Sequence, residues 1–252
     1  MNEIKPKIND SIVENVVDGI RIGYVEYLQE LVEKSANKKI STGYRWTKSN
    51  HIDNNIEERL RNKSGVEVNR ETLKNGWQFN VYVTGNIAFI QKPISYVNEE
   101  SNFKSVGKEG DGYISSLSNK TNKSLFEDLK IETSSSSDGQ IELFEPEINN
   151  NSDINVSSDV FYLATYNIGA DKDIGSIEVY AAYNGKCIRI QDLSEANSAS
   201  SIEVPRDLLD QVSEIDAKGY ESNANSFYSV RNYSPLYNDP KKNNEVPNDD
   251  QQ

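Results

Sequence analysis

Apolar side chains recur at helical spacing near the start of the chain and predict a long amphipathic helix. They are Ile12, Val13, Val16, Val17, Ile20, Tyr24, Leu28, Leu31 and Val32. Ser11 and Glu14 have the spacing of a capping box, so the helix is expected to begin at Ser11. Gly23 lies within the helix, where glycine costs about 1 kcal/mol relative to alanine. We therefore expect another backbone to approach it closely. A shorter helix is predicted over residues 53–60.

A β-hairpin is predicted next. Apolar and polar residues alternate from 77 to 84, which is typical of a strand with one buried face. Gly85 and Asn86 can form a two-residue turn, and residues 87–91 provide the return strand.

A second group of strands begins at residue 160. Residues 160–167, 176–183 and 187–191 are rich in branched and aromatic side chains, and Asn184-Gly185 is a strong hairpin signal. Together they predict a three-stranded antiparallel meander.

The rest of the chain divides into a polar middle, one more helix and a polar tail. Residues 94–158 are rich in Ser and Asn, with a short helix expected only at 122–131. Pro205 at a first helical position and Gly219 after the last turn delimit a further helix. Residues 220–252 are predicted to be largely disordered.

These elements predict an α+β fold with a mainly antiparallel sheet, made of the hairpin and the meander, with flanking helices. The predicted divisions are 1–93 (helices plus hairpin), 94–158 (a low-complexity insertion or linker), 159–219 (meander plus helix) and 220–252 (the tail). Whether the hairpin and the meander share one sheet is left open.

Composition limits the chemistry and the setting. The start of the chain has no apolar signal region, and no run approaches the roughly 18 apolar residues that a membrane span needs. One cysteine, Cys187, and one histidine, His51, rule out a Cys/His zinc site. We expect a cytoplasmic protein of a bacterial or phage-infected cell, without a metal, a cofactor or a membrane partner.

Charge is distributed unevenly along the chain. The net charge is −13, which argues against a general nucleic-acid binder. Residues 1–92 carry 14 Lys/Arg and 12 Asp/Glu, whereas residues 93–252 carry 13 and 28. The acidic excess therefore belongs to the later part of the chain.

A basic and aromatic segment at 34–77 is the best candidate binding region. Its candidate residues are Tyr44, Arg45, Trp46, Lys48 and Trp77. Basic side chains interleaved with aromatic rings can hold a phosphate backbone while bases stack on the rings. In the alternative interpretation, the rings are core anchors and the charges form a solvated face.

His51 is the weak catalytic candidate, because it is the single ordinary general base near neutral pH. Arg45, Lys48 and Asp53 lie close in sequence and could complete a metal-independent ribonuclease site. The alternative is an exposed polar histidine before a helix. Cys187 lies on a predicted strand among apolar neighbours and is expected to be buried and structural.

Three short motifs resemble a family of domains of unknown function. The motifs are Gly43-Tyr44-Arg45, residues 52–56 and residues 74–79, with a later strand pair at 161–190. The family occurs on phages, plasmids and other mobile elements of low-GC Gram-positive bacteria. This chain departs from it by having Asn75-Gly76 where the family has Gly-Pro before the tryptophan. The resemblance implies a bacterial or phage setting and no particular activity.

Three functions follow as hypotheses. The leading one is a non-enzymatic interaction protein of a mobile element that binds a host or competing protein in defence or counter-defence. The first alternative is nucleic-acid binding through residues 34–77, and the second is a ribonuclease-like toxin centred on His51. The sequence sets no oligomeric state.

Overall fold

Two helices that cross at glycines form the first part of the fold. The computed structural model describes residues 6–37, 42–73, 76–97, 112–131 and 157–223. Helix α1 spans Asp10–Asn37 and helix α2 spans Lys48–Leu60. A Cβ atom added to Gly23 would lie 2.5 Å from the Cα of Ile52. The predicted close approach at Gly23 is therefore confirmed, and the partner is α2.

Helix α1 begins one residue earlier than predicted and is capped by a different side chain. The backbone N–H of Ser11 donates to Oδ1 of Asn9 at 2.9 Å. The predicted capping role of Ser11 is wrong, because the Asn9 side chain occupies the N-cap position.

Six strands form one continuous sheet in sequential order. Their bounds are β1 Val66–Thr72, β2 Gln78–Thr84, β3 Ile87–Pro93, β4 Val160–Ile168, β5 Ile174–Tyr183 and β6 Lys186–Asp192. Strands β3 and β4 are parallel, with Ile87 opposite Val160 and Pro93 opposite Tyr166, and the other neighbours are antiparallel. The α+β prediction is confirmed, and the parallel pair joins the two groups of strands.

The remaining helices are short except for the last. They are α3 Tyr113–Thr121, α4 Lys123–Asp128, α5 Ser194–Ala199 and α6 Arg206–Asn223, with 3-10 helices at Thr42–Trp46 and Ile94–Tyr96. All the strands, α1 to α5 and the start of α6 belong to one compact unit that ends at Ile215. After that residue only the helical backbone is described.

Helices cover both faces of the sheet. On one face, α1 and α2 pack against buried rings that include Tyr82, Phe89 and Tyr166. On the other face, Ile114 and Leu117 of α3 pack against apolar residues of β2, β3 and β4. Helices α1 and α2 therefore bury the face of β2 that its alternation had assigned to solvent, since Tyr82 lies on it, whereas α3 covers the apolar face of that strand.

Several elements differ from the prediction. Strand β2 has both faces buried at its centre, since Asn80 and Tyr82 are as inaccessible as their apolar neighbours. Strand β1 was not predicted, because its side chains are mostly exposed and leave no hydrophobic pattern. Helices α3 and α5 were also not predicted, and α6 continues past Gly219.

The predicted 53–60 helix begins five residues earlier, at Lys48, so His51 lies within α2 and not before it. The remaining predictions match or fall outside the described residues. Helix α4 lies within the predicted 122–131 helix. The remainder of the predicted linker at 98–111 and 132–156, and the predicted disordered tail from 224 on, lie outside the described residues.

Asn122 ties the α3–α4 pair to the sheet. It is completely buried. Its amide donates to the carbonyls of Phe161 at 2.7 Å and Ala182 at 2.8 Å, and its Oδ1 accepts from the N–H of Phe161 at 2.8 Å. A single side chain thus satisfies three backbone groups where β4 begins and β5 ends.

Candidate functional site

A polar cleft opens between α2 and the first two strands. Its volume is about 330 Å³. It is lined by Asn50, Asp53 and Asn54 of α2, by Arg70 of β1, and by the chain from Gly76 to Asn80 that leads into β2. Gly76 has a positive φ of 82° and turns the chain at the wall of the cleft. The cleft therefore combines amide groups, a carboxylate, a guanidinium and the Trp77 ring.

Asp53 lines the cleft, and 8% of its surface remains exposed. It occupies the buried side of α2, one turn before Glu57. The Tyr82 hydroxyl donates to the backbone carbonyl of Asp53 at 3.0 Å and lies 3.3 Å from Oδ1. The Asn80 amide also lies 3.3 Å from that carbonyl. Asp53 therefore connects α2 to strand β2.

The environment of Asp53 disfavours its negative charge. Burial raises the pKa of this carboxyl from an ordinary 3.8 to about 6. The positive charge of Lys92 opposes this effect, followed by hydrogen bonds from Gln91, Tyr82 and the backbone of Asn80. The pKa stays high despite these groups, because the effect of burial outweighs them.

Lys92, which supplies that positive charge, lies among aromatic rings. Its Nζ lies between 5.6 and 5.7 Å from the ring centroids of Phe79, Tyr96 and Tyr113. Burial lowers the pKa of this ammonium group, while the charge of Asp53 raises it. Both partners of this buried pair are thus shifted towards their neutral forms.

Two buried polar atoms near Asp53 have no hydrogen-bond partner among the described residues. They are Oε1 of Gln91 and the hydroxyl of Tyr166. The Gln91 amide nitrogen lies 3.3 Å from the carbonyl of Ser49. Burial, followed by the charge of Asp53, raises the pKa of Tyr166. The hydroxyls of Ser118 and Ser158 are the other two such atoms in the described chain.

An ion-pair network lies beside the cleft and includes Arg70 of its lining. Glu57 accepts from Arg61 and from Arg70, each at 2.7 Å, and from the Asn80 amide at 3.0 Å. The hydrogen bond from Arg61 is the largest of the effects that lower the pKa of Glu57. Asp53 and Glu57 lie one turn apart on α2, yet their surroundings shift their pKa values in opposite directions.

His51 joins α2 to α1 instead of lining this cleft. Its Nε2 lies 2.6 Å from Oε2 of Glu30, and its Nδ1 lies 3.7 Å from Oε2 of Glu26. The Asn55 amide donates to the same Glu26 oxygen at 2.6 Å. Both ring nitrogens therefore face carboxylates of the neighbouring helix, and the ribonuclease site at His51 stays a prediction.

The five predicted binding residues are separated by the fold. Tyr44 packs against the core and Lys48 turns inward, with its Nζ 5.8 Å from the ring centroids of Tyr27 and of Tyr166. Trp77 lines the cleft and is half-buried. Arg45 is exposed, and Trp46 is 76% exposed.

Several basic residues of the 34–77 segment have carboxylate partners. Arg59 lies 3.1 Å from Asp18 of α1, in addition to the two arginines on Glu57. These carboxylates neutralise positive charge that a phosphate backbone would need for binding. Nucleic-acid binding through this segment stays a prediction.

The other chemical candidates occupy structural positions. Cys187 is buried, and burial raises the pKa of its thiol to about 12. Within the described ranges, no group of three His, Cys, Asp or Glu side chains has the geometry to hold a metal ion. Among the same residues, no helix has the length and apolar character required to span a membrane.

Comparison with protein-family models, curated proteins and solved structures finds no match for this chain. The likeness to a mobile-element family therefore stays a prediction.

The cleft was missed by the sequence patterns, although a signal for it exists. Asp53, Ile56 and Leu60 share the buried side of α2, so a carboxylate occupies an apolar position of that helix. A charged residue at such a position costs several kcal/mol unless it is paired or used. That mismatch marks Asp53, whereas its partners on β2 and β3 become visible only in the folded sheet.

Proposed function

We propose that this chain is an interaction protein that binds a protein partner through the exposed corner between α1 and α2. The corner consists of Arg45 and Trp46 at the end of the Thr42–Trp46 3-10 helix. An origin in a bacterial or phage mobile element, where such a partner would be a host or competing protein, forms part of this proposal.

The exposure of Trp46 is the observation that carries the proposal. Among the large hydrophobic residues described, it is the exposed one, with 76% of its surface accessible. Burying about 200 Å² of indole gains at most about 5 kcal/mol before ordering costs are subtracted. Tryptophan and arginine are also enriched at the centres of protein interfaces.

Contacts within the chain fix the backbone of this corner in the absence of a partner. Tyr44 packs against the core beside it. The Thr47 hydroxyl and the Thr47 N–H both donate to the carbonyl of Tyr44, at 2.8 and 3.1 Å. A ring presented by a fixed backbone loses less freedom on binding, which favours affinity.

Site-specific photo-crosslinking tests the proposal. A photoreactive phenylalanine replaces Trp46 in one variant and the exposed Asn62 in the control, and both are expressed in bacterial cells. We expect one discrete crosslinked protein from position 46 and none from position 62. Trp46→Ala should then weaken binding of the recovered protein by about 100-fold. The same crosslinks from both positions, or none from 46, would contradict the proposal.

A further inference from the structure

The second binding feature is the cleft above Asp53, which is separate from the Trp46 corner. Trp46 does not line it, and the residues that do belong to α2, β1 and β2. Its chemistry is accordingly independent of the proposed protein partner. We propose that this cleft binds a guanidinium group, such as the side chain of arginine, with Asp53 accepting its paired N–H groups.

The charge balance of the cleft favours a cation. Asp53 lines the cleft and is largely buried. The guanidinium of Arg70 lies at the rim, but it is engaged by Glu57 at 2.7 Å. Lys92 on β3 is buried, and its Nζ lies over three aromatic rings. Arg70 is thus already paired, so Asp53 is the charged lining residue that a bound cation can meet.

The shape of the donor set favours guanidinium over a simple ammonium ion. A carboxylate can accept two parallel N–H groups from a planar guanidinium. Trp77 lines the same cleft while it also packs against the core beside α3, and an indole is the best ring for a cation–π contact. The remaining N–H groups of a guanidinium could meet the side-chain oxygens of Asn50, Asn54 and Gln78, which also line the cleft.

Binding should depend on the ionised form of Asp53. The titratable and charged groups around Asp53 come from the helices and strands that pack near it. They are Glu57 on α2, Arg70 on β1, Tyr82 on β2, Lys92 on β3, Tyr166 on β4 and Tyr113 on α3. Asp53 itself has a pKa of about 6, and protonation there removes the charge that the ligand needs.

An NMR titration with blocked amino acids tests the inference. The probe is N-acetyl-arginine amide, and its matched control is N-acetyl-citrulline amide, which replaces the guanidinium with a neutral urea of the same shape. We expect the arginine probe to shift the backbone amide signals of Asn50, Asn54 and Gly76, and the citrulline probe to leave them unchanged. From pH 7 to pH 5 the affinity should fall about tenfold, since the ionised fraction falls about tenfold around a pKa of 6.

Variants locate the site. Asp53→Asn should weaken arginine binding at least tenfold, whereas Glu58→Gln, an exposed carboxylate on the same helix, should leave it unchanged. Because Asp53 also bonds to the sheet, Trp77→Ala provides a second variant, with an expected loss of several-fold. Equal binding of citrulline, full binding by a folded Asp53→Asn variant, or no pH dependence would overturn the inference.

Guanosine is tested last, as a competitor of the arginine probe, because its base carries a similar pair of N–H groups. No competition between guanosine and the arginine probe supports the assignment to guanidinium. Tighter binding of guanosine than of arginine would overturn it and assign the cleft to a nucleobase.

Discussion

Asn122 and Asp53 are both polar side chains that connect a helix to the sheet, and they differ in how completely the protein satisfies them. Asn122 is fully buried and exchanges three short hydrogen bonds with the backbone of β4 and β5. Asp53 is almost as buried but borders a cleft. Gln91 donates a hydrogen bond to it, yet Oε1 of Gln91 has no partner among the described residues.

This difference separates a polar group whose hydrogen bonds are all made within the protein from one that could still bind a ligand. A buried amide whose hydrogen bonds are all made within the chain stabilises one conformation and has little left for a ligand. A buried carboxylate that borders a cleft can pair with a cation that arrives there. The comparison predicts opposite behaviour when each residue is replaced.

The largest expected effect comes from removing the satisfied group. Asn122→Ala leaves the N–H of Phe161 and the carbonyls of Phe161 and Ala182 without their partners. We expect the free energy of unfolding to fall by about 3–5 kcal/mol, measured by urea denaturation.

Ser118→Ala is the matched control, since its buried hydroxyl on the preceding helical turn has no partner among the described residues. It should change the free energy of unfolding by less than about 0.5 kcal/mol. Equal losses from both variants would show that packing, not hydrogen bonding, sets the effect at Asn122.

Asp53→Asn should have a smaller effect that depends on pH. The pKa of Asp53 is about 6 in the folded protein and near 3.8 when unfolded, so the folded chain binds more protons between these values. The free energy of unfolding of the wild type should therefore fall as the pH rises through this window. Relative to the wild type, Asp53→Asn should gain about 3 kcal/mol between pH 3 and pH 8, measured by urea denaturation at each pH.

Asp192→Asn is the control of opposite sign. Hydrogen bonds from the side chain and backbone of Ser194 lower the pKa of Asp192, so its contribution is present at neutral pH and is lost on acidification. The same pH trend in both variants would contradict the role assigned to burial at Asp53.

Gly23→Ala tests the helix crossing that positions Asp53, with an expected loss of about 1–3 kcal/mol. A methyl group there would lie 2.5 Å from the Cα of Ile52 and 2.6 Å from the carbonyl oxygen of His51. Gly43→Ala is the control, because no atom lies within 4 Å of its added methyl group. Thermal unfolding of both variants measures the difference, and similar stability would mean that α2 moves away without cost.

The smallest effect on stability is expected at Trp46. Because its side chain is 76% exposed, Trp46→Ala should change the free energy of unfolding by less than about 0.5 kcal/mol. Circular dichroism during heating measures this. A large loss of stability would remove Trp46 from the binding surface and place it in the fold.

Local patterns were sufficient where one face of an element is apolar. The stripe of α1, the β2–β3 hairpin, the β4–β6 meander and the close approach at Gly23 were all predicted from spacing and turn residues. The candidate site was predicted only in part, because Trp77 was named while Asp53 was considered merely as a neighbour of His51. Tyr44 and Lys48 were assigned to the same surface as Trp46, but their side chains turn towards the core.

The sequence by itself determined the α+β class, most strands and the helices that carry an apolar stripe, since these depend on contacts between near neighbours in the chain. Only the tertiary structure decided that β3 and β4 pair in parallel, which joins the two groups of strands. It also decided that α3 covers the second face of the sheet and that Asp53 meets Tyr82 and Gln91 at a cleft. These contacts join residues far apart in sequence, and their energies depend on burial, which no local pattern specifies.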